Sequence, residues 1–273
     1  GLPAWPSRKM RHQPTPPAMH PSPSTPALLP RRRLLGRALA APLSPLLALA
    51  GCASPWPEVP PGPGSASARA RLREAANAQG LATWPGVHDV NLGYDALPWP
   101  ASRGLQPGGP AQMRLLRASG QLALQSAPMA PGATPLAAAL HRLLLGPIML
   151  ANVDGPVNWA EPQTLAGRRC DHLHLQLSPG LGTTGADRLS LFIDRDEGLL
   201  RRLQASLTGL GPDTLVEVNV DGHRRLAGLT WPTRWQSGAL AWQMTGLDLN
   251  RGYGPEALRS APWAAPADAP ARP

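Results

Sequence analysis

From Val90 onward the chain alternates apolar and polar residues in short runs, the period-two pattern of strands that bury one face. Val90–Tyr94 and Met113–Gln125 hold such stretches. Arg169–Leu177, Asp187–Asp194, Leu199–Leu207, Thr214–Val220, Arg224–Trp231 and Leu240–Leu249 follow. Turn signals separate them at Pro179-Gly180, Asp196-Glu197-Gly198, Gly209–Asp213 and Asp221-Gly222. Leu173, Leu175 and Leu177 share one face of their strand, as do Leu189, Leu191 and Ile193, and Val216, Val218 and Val220. Strands in such close succession, joined by short turns, predict an antiparallel meander rather than βαβ units. Two segments read as helices: Ala68–Gln79, ended by Gly80, and Leu136–Leu145, ended by Gly146-Pro147. The pattern predicts a mainly β domain of the α+β class over residues 69–250. Residues 251–273 revert to Pro and Ala and read as a frayed, disordered tail.

Charge changes the picture at the N-terminus. The 273 residues carry 26 Lys+Arg against 17 Asp+Glu, a formal net charge of +9. Spread evenly, that would suggest nucleic acid as partner. It is not spread evenly. Arg8, Lys9, Arg11, Arg31, Arg32, Arg33 and Arg37 precede residue 52, where no acid occurs, so the remainder is close to neutral. A nucleic-acid partner is excluded on that distribution.

After the Arg31–Arg33 cluster comes an Ala/Leu run from Ala38 to Ala50, and then Gly51-Cys52. A basic stretch, a short apolar stretch and small residues form the layout of a secretory signal peptide over residues 1–51, its start disordered. The run is broken by Pro42 and Pro45 and falls short of the roughly 20 apolar residues of a membrane span. Leu49-Ala50-Gly51-Cys52 resembles the lipobox of bacterial lipoproteins. That resemblance implies cleavage before Cys52 and acylation of its thiol. Several acyl chains, at about 0.8 kcal/mol per buried methylene, give stable anchoring. Ala53 after the cysteine favours the outer membrane, with the domain facing the periplasm. Residues 52–68, with five prolines from Pro55 to Pro63, read as an extended tether. Cys170 then has no intramolecular disulfide partner.

The candidate chemistry is sparse, and no cofactor is expected. No Gly-rich phosphate loop, His-Glu-x-x-His helix or Gly-x-Ser-x-Gly elbow occurs. Cys170, His172 and His174 fall on one face of a strand, spaced about 6.5–7 Å, and form the candidate set for a metal-handling alternative. Their face lies opposite Leu173 and Leu175, which predicts that both histidines are solvated. A hydrolytic envelope enzyme would draw its acid and base from Asp187, His172 or His223, although no spacing supports one. Asp194, Asp196 and Glu197 before Gly198 read as a hairpin turn. The chain holds nine Trp but only one Phe and two Tyr; Trp231, Trp235 and Trp242 read as core filling near the last strands.

A family likeness runs from Leu144 to Trp235. Leu165-Ala-Gly-Arg-Arg-Cys-Asp-His-Leu, Asp187-Arg188, Leu191-Phe-Ile-Asp194, Gly198-Leu-Leu-Arg-Arg-Leu and Gly228-Leu-Thr-Trp-Pro-Thr-Arg234 occur in order. The succession resembles envelope domains related to the LolA/LolB lipoprotein carriers. The resemblance implies an incurved antiparallel sheet, a half-open β-barrel with helices across its mouth, that binds lipid or another apolar ligand without chemistry. The expected function is thus a lipid-anchored, non-enzymatic envelope lipoprotein whose partners are the membrane and an acyl ligand. Interior residues are mostly Leu and Val, which favours a hollow, whereas the Trp residues favour a packed interior.

Overall fold

The computed structural model describes residues 64–126, 133–181, 185–211 and 214–259, all within the second of two units, Cys52–Pro273. The signal-peptide segment, Cys52 and most of the tether lie outside the described residues.

Twelve strands and two α-helices are present among them. Helix α1 (Ala66–Gln79) opens the domain, with the Ser65 hydroxyl capping the Ala68 N–H. It ends at Gly80, whose φ of 113° lets its N–H reach back to Ala76 O and Asn77 O. Strands β1 (Asp89–Tyr94), β2 (Trp99–Ala101), β3 (Gly104–Gln106), β4 (Ala111–Leu116) and β5 (Leu122–Ser126) follow. Helix α2 (Ala133–Leu143) and a short 3-10 turn, Pro147–Met149, lead into the meander. The meander comprises β6 (Val157–Leu165), β7 (Arg168–Leu177), β8 (Asp187–Asp194), β9 (Leu200–Ser206), β10 (Leu215–Leu226), β11 (Leu229–Ser237) and β12 (Leu240–Leu249). The main sheet has ten strands in the order β5-β4-β1-β12-β11-β10-β9-β8-β7-β6, with β2 and β3 forming a separate small hairpin. Every pairing is antiparallel. The sheet is incurved and open, with β5 and β6 as its two edges, and does not close into a barrel.

The inward faces are those the alternation predicts. Leu173, Leu175, Leu189, Leu191, Ile193, Val216, Val218 and Val220 are buried in one cluster with Leu72 and Ala75 of α1 and Leu140 of α2. Trp231, Trp235 and Trp242 fill the interior as expected; Trp235 and Trp242 stack, and Trp84 meets Trp231 edge-on. Each fully buried aromatic removes a large apolar area from water, and these three indoles occupy interior space beside the helices.

Two expectations are corrected, and one strand is added. Asp221-Gly222 is not a turn but a bulge within β10, where a Cβ on Gly222 would stand 2.6 Å from Thr233 Oγ1; glycine inside a strand marks this kind of close approach. Val157–Leu165, which the alternation did not mark, is a strand. It lies at the sheet edge with a bulge between Ala160 and Gln163, where a missing N–H costs no ladder bond. The tail does not begin at residue 251. The Asp89 carboxylate accepts from the N–H groups of Arg251, Gly252 and Tyr253, and the Arg114 guanidinium lies 4.0 Å over the Tyr253 ring. A 3-10 turn, Pro255–Leu258, follows. Among the described residues no helix is long and apolar enough to cross a membrane.

Candidate functional site

Beside the packed interior the helices leave a groove of about 540 Å³ across the mouth of the sheet. One wall comes from the β4–β5 edge through Leu115 and Leu122, and the opposite end from Leu177 of β7 and Leu181 beyond it. Between them stand Ala138, Ala139, Arg142 and Leu143 of α2, and Ile148, Met149 and Leu150 of the turn that follows. The groove therefore spans the two sides of the open sheet. Most of its lining residues are aliphatic, and its charged members are Arg117 and Arg142; among the described residues no Asp or Glu lines it. A second depression of about 440 Å³, along Arg69 and Arg73 of α1, shares Asn152 and Val153 with it.

Buried polar side chains fix the groove's walls. Gln79, at the end of α1, donates to Leu145 O and accepts from Ile148 N at 2.9 Å. One amide thus holds both sides of the bend that presents Ile148 and Met149. Gly146 sits in that bend at φ 107° and ψ −170°, and a Cβ there would stand 2.9 Å from the Gln79 amide. Only glycine adopts this backbone without strain. At the other end Asp187 is buried and accepts from Leu181 N at 2.7 Å, and from Thr208 N and Oγ1, each at 2.8 Å. It is a loop clamp with its oxygens committed, rather than an acid or base facing open space.

The other sequence candidates do not assemble either. His172 pairs across β7–β8 with Phe192, five residues along β8 from Asp187, or about 16 Å at about 3.3 Å per residue. His223 stands on β10, its Nδ1 3.5 Å from Nη1 of the Arg201 guanidinium. Asp187, His172 and His223 therefore occupy separate places on the sheet. The expectation that His172 and His174 are solvated is also corrected, for both are buried. Their face carries Phe192 as well: His172 stacks on that ring at 4.1 Å, and Arg202 reaches over its other side. Glu161 O, on the bulged edge strand, lies 3.3 Å from His172 Nδ1, and Ser190 Oγ lies 2.8 Å from His174 Nδ1. Burial, with the neighbouring His174, lowers the His172 pKa to about 4; burial and then Arg188 lower that of His174. Cys170 is buried and points its thiol at Arg168 O, and burial followed by the Asp194 charge pushes its pKa up. A metal site needs the thiolate, which this setting disfavours. Among the described residues no three His, Cys, Asp or Glu side chains converge as a metal site.

The acidic hairpin is a turn, as read. Asp194 Oδ1 accepts from Asp196 N and Glu197 N, while Oδ2 meets Arg168 and Arg201 at 2.9 and 3.1 Å. Burial alone would raise the Asp194 pKa. The turn N–H groups and the two guanidiniums outweigh it and bring it down to about 2.

The groove was not found from the sequence, because its lining comes from segments whose only shared signal is apolarity. No protein-family model matches the chain, and no curated protein does either. In fold it is similar to several solved structures. One is a LolA superfamily protein from Nitrosomonas europaea, at 13% identity and TM-score 0.41, aligned over 71% of this chain and 97% of that one. Another is a domain described as outer-membrane lipoprotein-sorting, from Vibrio parahaemolyticus, at 8% identity and TM-score 0.38 over 70% and 95%. A DUF1329 family protein from Desulfovibrio piger aligns at 11% identity and TM-score 0.37 over 67% and 95%.

Proposed function

We propose that this chain is a lipid-anchored protein of the bacterial envelope whose domain holds an acyl chain, without chemistry, in the groove between α2 and the open sheet. The carrying observation is the groove itself. It is concave and largely aliphatic, and it has the volume expected of a ligand site, about 300–1,000 Å³. Asp187, at its Leu181 end, is bound into the adjoining loops.

Ala139 lines the groove from α2, so Ala139→Trp places an indole where a ligand would lie. The parent chain is expected to bind a fluorescent fatty-acid probe at about one per domain and to gain thermal stability from it, as any ligand specific to the folded state confers. Ala139→Trp should weaken that binding at least about tenfold while the free protein melts near the parent. Undiminished binding would place the ligand elsewhere.

The anchor rests on Leu49-Ala50-Gly51-Cys52 after the arginine cluster. Only a cysteine thiol can supply the thioether, and Ala53 after it favours the outer membrane, with the domain facing the periplasm. Metabolic labelling with a palmitate analogue should mark the parent and not Cys52→Ala. Equal labelling of both would remove the anchor from this reading.

A further inference from the structure

The groove's charge is one-signed and placed at one end. Arg117 opens the β4–β5 turn, and Gly120, whose N–H bonds back to Arg117 O, closes it. Arg142 reaches this turn from α2, with Nη1 3.5 Å from Gly120 O. Arg117 is braced from behind, its Nε donating to Val87 O at 2.5 Å. Both guanidiniums are only part-buried. Neither pairs with a carboxylate among the described residues, where nine other arginine–carboxylate contacts within 4.0 Å do form. From this turn the groove runs over aliphatic side chains towards Leu177 and Leu181.

We infer that the ligand is an acyl lipid with an anionic head, a carboxylate or phosphate, held by Arg117 and Arg142 with its chain along the aliphatic floor. The inference rests on the acyl-binding reading above and adds the head to it. An arginine already braced through one nitrogen loses little freedom on meeting an anion, and its planar fork suits carboxylate and phosphate alike. A neutral head in the same place would leave the two guanidiniums that line this end of the groove without a counter-charge. A short aliphatic trough ending in paired cations has the polarity of a single amphiphile laid lengthwise.

The test compares oleate with oleyl alcohol, which have the same chain and differ in the head. Each is used to displace a neutral fluorescent acyl ester from the full chain at pH 8 and low salt. Oleate should compete at least about tenfold better, the factor that one charge-assisted hydrogen bond supplies. Added salt should narrow the gap. Arg117→Gln/Arg142→Gln should bring oleate down to the level of the alcohol, with circular dichroism and a melting curve reporting that the variant is folded. Arg142→Lys in the parent background should keep part of the preference. Inorganic phosphate alone should leave the ester bound. Equal competition by the two compounds in the parent, or displacement by phosphate alone, would overturn the inference. A parent chain that binds no ester at all fails earlier, and sinks the acyl-binding reading with it.

Discussion

Leu175→Asp is expected to unfold the domain. Leu175 is fully buried on β7, with Val157 of β6 on one side and Leu189 of β8 on the other, both also fully buried. A carboxylate there has aliphatic neighbours and no cation in register. Its desolvation, added to about 2–5 kcal/mol for the lost leucine packing, approaches the 5–15 kcal/mol that holds an ordinary domain together. Thr164→Asp, on the exposed edge strand opposite Arg169, is the control and should stay within about 0.5 kcal/mol of the parent. Circular dichroism and a melting curve suffice. A Leu175→Asp chain with parent-like cooperative melting would mean that β7 presents its other face to the core.

Acid should weaken the domain in two stages, the first carried by histidine. His141 of α2 is buried against Tyr94 and Trp242, with Nε2 2.8 Å from Pro98 O. Burial lowers its pKa to about 4, against a smaller opposing effect of that carbonyl. The unfolded chain has the ordinary value of about 6.5, so between those two values the unfolded state binds the extra proton. Stability is therefore full above pH 6.5 and falls as the pH is lowered towards 4. A shift of this size corresponds to about 3 kcal/mol for His141. His172 and His223, also lowered to about 4 by burial, act in the same direction with more solvent around them. Asp194 works lower. Its depressed pKa means that its contribution is present above about pH 4 and is lost as the pH falls through about 2. Urea unfolding at pH 7.5 and 4.5 should show a loss of about 3 kcal/mol or more, reduced by His141→Gln. Equal midpoints at the two pH values would show that His141 is not buried as described.

Strand faces were legible in the sequence because a period of two reports on one face at a time. Leu173/Leu175, Leu189/Leu191/Ile193 and Val216/Val218/Val220 all point where alternation places them. The same rule misjudged His172 and His174. Alternation says which residues share a face but not what neighbouring strands lay beside them, and here Phe192 and Arg202 close the outer face over the histidines. The alternation did not mark β6, whose Pro162 the sheet tolerates because that strand is an edge. The groove left no trace in any one stretch. Leu115, Met149 and Leu181 are far apart in sequence and are brought together by the curvature of the sheet and by two clamps, Gln79 and Asp187.

The pairing of β1 with β12 governs how the protein must be made. Val90 lies opposite Leu249, nearly the whole length of the domain away, whereas β6 to β12 each pair with a strand adjacent in the chain. The meander has only short loops to close and can form as it emerges. β1, β4 and β5 pair with one another locally but can join the meander only through β12, the last strand among the described residues. Long-range closure of this kind is slow because the entropy of a large loop is lost before the contacts repay it. Until it occurs, Leu115, Leu122 and the Arg117–Gly120 turn are not yet opposite Leu177 and Leu181. Closure of the groove is thereby deferred until β12 is in place, and a chain stopped short of β12 would carry β6 to β11 without the pairing that brings the two sides of the groove together.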